Sequence, residues 1–165
     1  MAVELRPYSD DDLALTEALE LDPEMMRELG GPADPADVLR VHRVRVELVA
    51  NGGWWFVIVP EPSGQAAGTI GVWESELDGS PVHEIGWMVL PEFQGRGIAT
   101  EALATIVERA RSDPRYSRIH AFPGVTNEPS NALCRRAGFV HIDEREVKFR
   151  DRPLRINHWE IDVSS

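Results

Sequence analysis

Between His83 and Arg111 the chain reads as a strand, a tight turn built on two glycines, and a helix, and no other stretch restricts its fold as much. Val82 to Leu90 has the apolar and aromatic content of a buried strand, and Pro91 stops it. From Ile98, the residues Ala99, Leu103, Ile106, Val107 and Ala110 recur at helical spacing, while Glu101, Thr105, Glu108, Arg109 and Arg111 fill the other face. The hinge is Gln94-Gly95-Arg96-Gly97-Ile98-Ala99. Two glycines one residue apart allow a sharp turn and let a ligand approach the backbone without meeting a Cβ. The helix behind them offers unpaired N–H groups and the positive end of its dipole, which together suit a phosphate. An ordinary strand-to-helix connection would show the same glycines.

Two phosphate-binding motifs are excluded. The dinucleotide fingerprint needs a small residue three positions after the second glycine, where Thr100 stands, and a long parallel βαβ domain around it. The ATP-binding loop needs Gly-Lys-Ser/Thr, which is absent.

At 165 residues the chain reads as a single domain spanning 1–165, able to bury a core without staples. A net charge of −11 argues against nucleic-acid binding and makes a polyanionic ligand depend on local help from helix-end amides and Arg96. No run of about 18 apolar residues predicts a membrane span. The first residues lack a signal-peptide pattern, and the lone Cys134 has no disulfide partner, so a cytoplasmic location is expected. The five histidines are scattered without metal-ligand spacing, and no metal is expected.

Taken in order, the segments predict β, α, α, β, β, β, α, β, α, β, β: an α/β fold with one mixed sheet and helices packed on its faces. Ala2 to Tyr8 is the first strand, and Ser9 or Asp10 caps a short helix after it. Asp34-Pro35 opens the second helix. Its apolar stripe is read as Val38, Val41, Val44 or Arg45, and Leu48, with Arg40, His42, Arg43 and Arg45 as its solvated side. Strands follow at Trp54 to Val59, Ala66 to Trp73 and Val82 to Leu90, and another at Arg118 to Phe122. Asn127 caps a helix with Pro129 in its first turn and Gly138 at its end. Val140 to Phe149 and Leu154 to Val163 form a closing hairpin, whose exposed edges allow a homodimer.

The Gln-Gly-Arg-Gly-Ile-Ala turn and the Asn-x-x-Ser-x-x-Leu-x-x-Arg-x-Gly-Phe segment of residues 127–139, on these elements, resemble the GNAT N-acetyltransferase family over essentially the whole chain. The Glu-Ile-Gly-Trp strand, the Ala-Thr-Glu-Ala helix start and the closing Arg-x-Asn-His-Trp are most similar to the branch containing acetyltransferases of ribosomal-protein N-termini. The resemblance implies a mostly antiparallel seven-stranded sheet that splays open between the strands ending at Leu90 and Phe122, with acetyl-CoA in the gap. It implies pantetheine pairing with strand backbone at Met88, Val89 and Leu90, the Val89 amide also serving the oxyanion. The amides of Gln94, Gly95, Arg96, Gly97, Ile98 and Ala99 would hold the pyrophosphate, with the Thr100 hydroxyl beside them. Asn127 would bond the pantetheine arm, with Ser130 one turn on, although a plain helix cap explains Asn127 equally. Many family members carry tyrosine, as proton donor to the departing thiolate, where this chain has Cys134. The thiol is thus a candidate general acid, or else an inert packing residue.

Strand alternation puts Glu84, Gly86 and Met88 on one face and His83, Ile85, Trp87 and Val89 on the other. Ile85, Trp87 and Val89 suit the cover of the following helix, which leaves Glu84 facing the acceptor with room beside Gly86 and Met88. Burial would raise its pKa toward the working range of a general base, and the resembling branch commonly has glutamate there. Pairing with a neighbouring arginine is the alternative for Glu84, and His83 is the alternative base. The expected activity is acetyl transfer from acetyl-CoA to a primary amine by direct attack in a ternary complex. The acceptor stays open among polyamine, aminoglycoside, amino acid, other small-molecule amine and protein N-terminus. A non-catalytic acetyl-CoA-binding or regulatory module of the same fold is the competing reading.

Overall fold

In the computed structural model, which describes residues 2–164, all eleven expected elements occur in the expected order. They are β1 (Val3–Pro7), α1 (Leu13–Glu20), α2 (Pro35–Ala50), β2 (Trp54–Pro60), β3 (Gly68–Leu77) and β4 (Ser80–Val89), then α3 (Ile98–Arg111), β5 (Arg118–Ala121), α4 (Glu128–Arg136), β6 (Val140–Phe149) and β7 (Arg152–Asp162). The strands form one mixed seven-stranded sheet in the order β1-β2-β3-β4-β5-β7-β6. β4 and β5 pair in parallel, at His83 with Ile119 and Glu84 with His120. The pairs β1–β2, β2–β3, β5–β7 and β6–β7 are antiparallel. Among the described residues no helix is long and apolar enough to cross a membrane.

Two compact units divide the chain, one holding the residues up to Val72 with Trp87–Ala102, the other Trp73–Gly86 with everything from Leu103 onward. In the first, Ser9 caps a short 3-10 turn (Asp10–Asp12) through a capping box with Asp12, and α1 follows. Asp34 accepts from the Ala36 amide and Pro35 takes the first position of α2, as expected. The α2 stripe is corrected. Val44 is 58% exposed, whereas His42 is buried with Nδ1 2.6 Å from the Tyr8 hydroxyl, which also meets Thr16 Oγ1 at 2.6 Å. Arg45 is half-buried: Nη1 lies 2.7 Å from Glu20 Oε2 and the guanidinium 4.2 Å over the Trp55 ring. Paired and stacked, these polar groups are buried without the penalty that lone ones would carry.

In the second unit, β3 runs four residues past the expected end at Trp73. Glu74, Ser75 and Glu76 look polar, but Trp73, Ser75 and Leu77 are half-buried in alternation with exposed Glu74 and Glu76, a one-sided strand. Asp78 (φ 52°) and Gly79 (φ 81°) then turn the chain back into β4. Leu103, Ile106 and Ala110 of α3 are fully buried, as the helical spacing requires.

Candidate active site

In the first unit the expected phosphate turn is open. Gly95 (φ 76°) and Gly97 (φ 77°) both adopt the left-handed conformation, and a Cβ built on either meets nothing within 4 Å among the described residues. Gln94 to Gly97 and Thr100 are exposed, Ile98 is buried, and α3 begins at Ile98. The turn therefore presents bare backbone at the N-terminus of a fourteen-residue helix. The Arg96 guanidinium sits 5.5 Å over the Phe93 ring.

Gln94 departs from its expected role. Its amide already donates to Pro91 O at 3.2 Å, and its side-chain Nε2 donates to Val89 O at 2.9 Å, tying the turn to the end of β4. The Leu90 amide is also committed, to Ala67 O at 2.8 Å. Gly68 explains the local packing of Met88: a Cβ there would collide with the Met88 carbonyl oxygen, so only glycine lets β3 approach β4 so closely.

In the second unit Glu84 is partly buried. Burial raises its carboxyl pKa above the ordinary value, and a hydrogen bond with the Ser75 side chain opposes part of that rise. Glu84 thus takes a serine rather than the arginine weighed from the sequence. The room expected at Gly86 is taken: a Cβ there would stand 2.7 Å from the Trp73 ring, which lies over the glycine. His83 is partly buried, its ring edge-on to Tyr116 with centroids 4.8 Å apart.

α4 carries the remaining expected residues. Asn127 Oδ1 accepts from the Ser130 amide at 3.3 Å, the geometry of a helix cap. This leaves the Asn127 Nδ2 donors and the Ser130 hydroxyl as the groups able to serve a ligand. Cys134 does not suit an acid: it is fully buried, and burial pushes its thiol up to about 12.

Asn131 carries no sequence signal beyond that of a polar residue inside a short helix. It is buried, and Nδ2 donates to Gly124 O (2.9 Å) and Asn127 O (2.8 Å) while Oδ1 accepts from Asn157 Nδ2 and Trp159 Nε1, each at 2.9 Å. One amide thereby fixes the loop before α4 to β7. His120 and His158, also unanticipated, lie buried side by side on β5 and β7, and desolvation lowers both imidazole pKa values. Spacing along the chain carries no sign of such partners, which only strand pairing brings together.

Residues 2–140 match the acetyltransferase (GNAT) domain. The chain belongs to the GNAT acetyltransferase family. It is 34% identical over 92 residues to an N-acetyltransferase 9-like protein of Nematostella vectensis, a match covering 55% of this chain and about half (46%) of the relative's length. Among solved structures it resembles the ribosomal L7/L12 alpha-N-protein acetyltransferase RimL in complex with coenzyme A, there held as a cysteine disulfide. The TM-score is 0.78 at 19% identity, covering 98% of this chain and 94% of that one. Spermidine N-acetyltransferase from Vibrio cholerae, in complex with coenzyme A and spermine, gives 0.78 at 19% identity, covering 97% and 95%. At such identities the GNAT likeness of these structures is one of fold.

Proposed function

We propose that this GNAT protein transfers the acetyl group of acetyl-CoA to a primary amine. The carrying observation is the exposed double-glycine turn at the head of α3, open where a side chain would otherwise stand. In this reading the amides of Gly95 to Ala99 and the Thr100 hydroxyl hold the pyrophosphate, and Arg96 adds a local positive charge to a chain that is acidic overall. Backbone at Met88 and Val89 pairs with the pantetheine, helped by the Asn127 amide and the Ser130 hydroxyl. Acetyl-CoA brings the acetyl group already activated as a thioester.

The chain's task is then to position the amine, take its proton and stabilise the developing oxyanion. Glu84 is the base. A carboxylate raised by burial is better matched to an amine proton than an ordinary surface carboxylate. The Val89 amide supports the oxyanion. Cys134 is a packing residue, because a leaving thiolate of ordinary basicity departs near neutral pH without an acid. The acceptor is a primary amine of a protein N-terminus or of a polyamine, the kinds named for the two structural neighbours. The net charge of −11 favours encounter with such cations.

The test is release of free thiol from acetyl-CoA across a panel of peptide N-termini, polyamines, amino acids and aminoglycosides. Amine-dependent release that saturates for one class supports transfer and names the acceptor. Tight acetyl-CoA binding with no release for any amine would leave only the binding module.

A further inference from the structure

Strand pairing sets His120 of β5 opposite Glu160 of β7, and Asp143 of β6 opposite His158. His158 and Glu160 are two residues apart on one strand, so all four side chains share a sheet face. His120 Nδ1 lies 2.8 Å from His158 Nε2 and 3.8 Å from Glu160 Oε2, and the three atoms lie within 4.8 Å of one another. The histidine side chains are 9% and 4% exposed and that of Glu160 is 20% exposed, leaving one side of the group open to water. The Phe122 ring stacks against both imidazoles, with centroids 6.3 and 5.0 Å away.

Proton accounting leaves this group incomplete. Two neutral imidazoles share one N–H across the 2.8 Å contact. His158 Nδ1 is buried with no hydrogen-bond partner among the described residues, and Asp143 Oδ1 is 4.0 Å away from it. A purely structural histidine pair carries no reason for such an orphan.

We propose that His120 Nδ1, His158 Nε2 and Glu160 Oε2 form a binding site for one divalent transition-metal ion of the zinc type, with water in the fourth position. Each ring keeps its single proton on the nitrogen facing away from the ion, Nε2 of His120 and Nδ1 of His158. The second of these then donates toward Asp143, the carboxylate–histidine–metal arrangement that orients ligating imidazoles. Bonds of about 2.0–2.2 Å at tetrahedral angles place ligand atoms roughly 3.3–3.5 Å apart. The present 2.8 and 3.8 Å bracket that value and the third pair lies within 4.8 Å, so side-chain shifts of about an ångström complete the site. Arg118 holds Glu160 Oε1 at 2.8 Å and leaves Oε2 for the ion, while Arg145 grips Asp143 at 2.9 Å. These two guanidinium charges oppose a cation. The two imidazoles and single carboxylate oxygen favour an ion bound strongly by imidazole over magnesium or calcium, which need several oxygen ligands.

The full chain, stripped by chelation, is titrated with Co²⁺ followed by visible absorption and with Zn²⁺ followed by calorimetry. One ion per chain is expected, with the intense bands of four-coordinate cobalt and no response to Mg²⁺. His158→Gln and Glu160→Gln should each weaken binding at least tenfold, and Asp143→Asn about ten- to a hundredfold. In proton–nitrogen spectra of the wild-type chain, Zn²⁺ should move the ring signals of His120 and His158 and leave those of His42, His83 and His141 in place. Absence of saturable binding, movement of other histidines instead, or unchanged affinity in folded His158→Gln overturns the proposal. If the variants fail to fold by circular dichroism, the wild-type ring signals alone decide it.

Discussion

Replacing Cys134 with alanine separates a catalytic thiol from a packed one, and the structure sets the sizes. With its thiol pushed up to about 12, Cys134 is thiolate at only ~10⁻⁴ at about pH 8, against roughly a quarter for an ordinary cysteine. That is a deficit of about 2,000-fold in reactive species. The more basic thiolate is intrinsically more nucleophilic, by roughly 40-fold over this span, so alkylation of the native protein should run about 50-fold slower than that of the unfolded chain. Complete burial slows it further. As a donor to a thiolate of ordinary basicity, such a thiol works uphill by roughly 5 kcal/mol, which argues against an acid role. Cys134→Ala should therefore keep kcat within a few-fold. Its cost is in stability: about 1 kcal/mol for the lost sulfur, or ~2–4 °C in Tm. Iodoacetamide kinetics on native and urea-unfolded protein, with initial rates of thiol release for the variant, measure both. Native labelling as fast as unfolded labelling, or a hundredfold loss of kcat at unchanged acetyl-CoA affinity, would refute the reasoning.

Glu84→Gln should lower kcat/KM by about 10²-fold and abolish the acidic limb of the pH–rate profile, measured at saturating acetyl-CoA. The same substitution has a stability signature. Because burial raises the Glu84 pKa in the folded state, the wild-type chain is most favoured below the ordinary carboxylate value and loses stability as pH rises through the raised one. The Tm of Glu84→Gln relative to wild type should accordingly increase from about pH 4 to about pH 8, and a constant difference in thermal melts counts against a raised carboxyl. Gly97→Val places a side chain over the open turn and forces a β-branched residue to φ 77°, so acetyl-CoA affinity by calorimetry should fall more than tenfold while stability drops by about 1–2 kcal/mol. Asn131→Ala strands the buried Trp159 Nε1 and Gly124 O, and urea denaturation should show a loss of about 2–6 kcal/mol.

The parts of this molecule legible in its sequence are those whose requirements are local. Gly95 and Gly97 both need positive φ, and Asp34-Pro35 and Asn127 cap helices with side chains two or three residues from the amides they serve. The first helical residue after the glycine turn, Ile98, follows from such rules without any neighbour. The burial of His42 and Arg45 does not. Helical periodicity assigns polar residues to water by default, and partners such as Tyr8, Glu20 and Trp55, contributed by the loop after β1, α1 and β2, reverse that assignment. The end of β3 is hidden for the opposite reason: Glu74-Ser75-Glu76 has loop-like composition, and its strand character lies in the alternation that starts at Trp73.

Glu84 shows where the two kinds of knowledge meet. Alternation along β4 identifies which side chains share its face, because the period of two needs no partner strand. What that face is like depends on β3, and β3 supplies Ser75 as a hydrogen-bond partner and lays Trp73 over Gly86. A glutamate paired with arginine would have its pKa lowered and serve poorly as a base. A glutamate with only a serine keeps the rise that burial imposes. The identity of one neighbour on the adjacent strand thus decides whether the same carboxylate is a structural ion pair or a group suited to accept a proton from an amine.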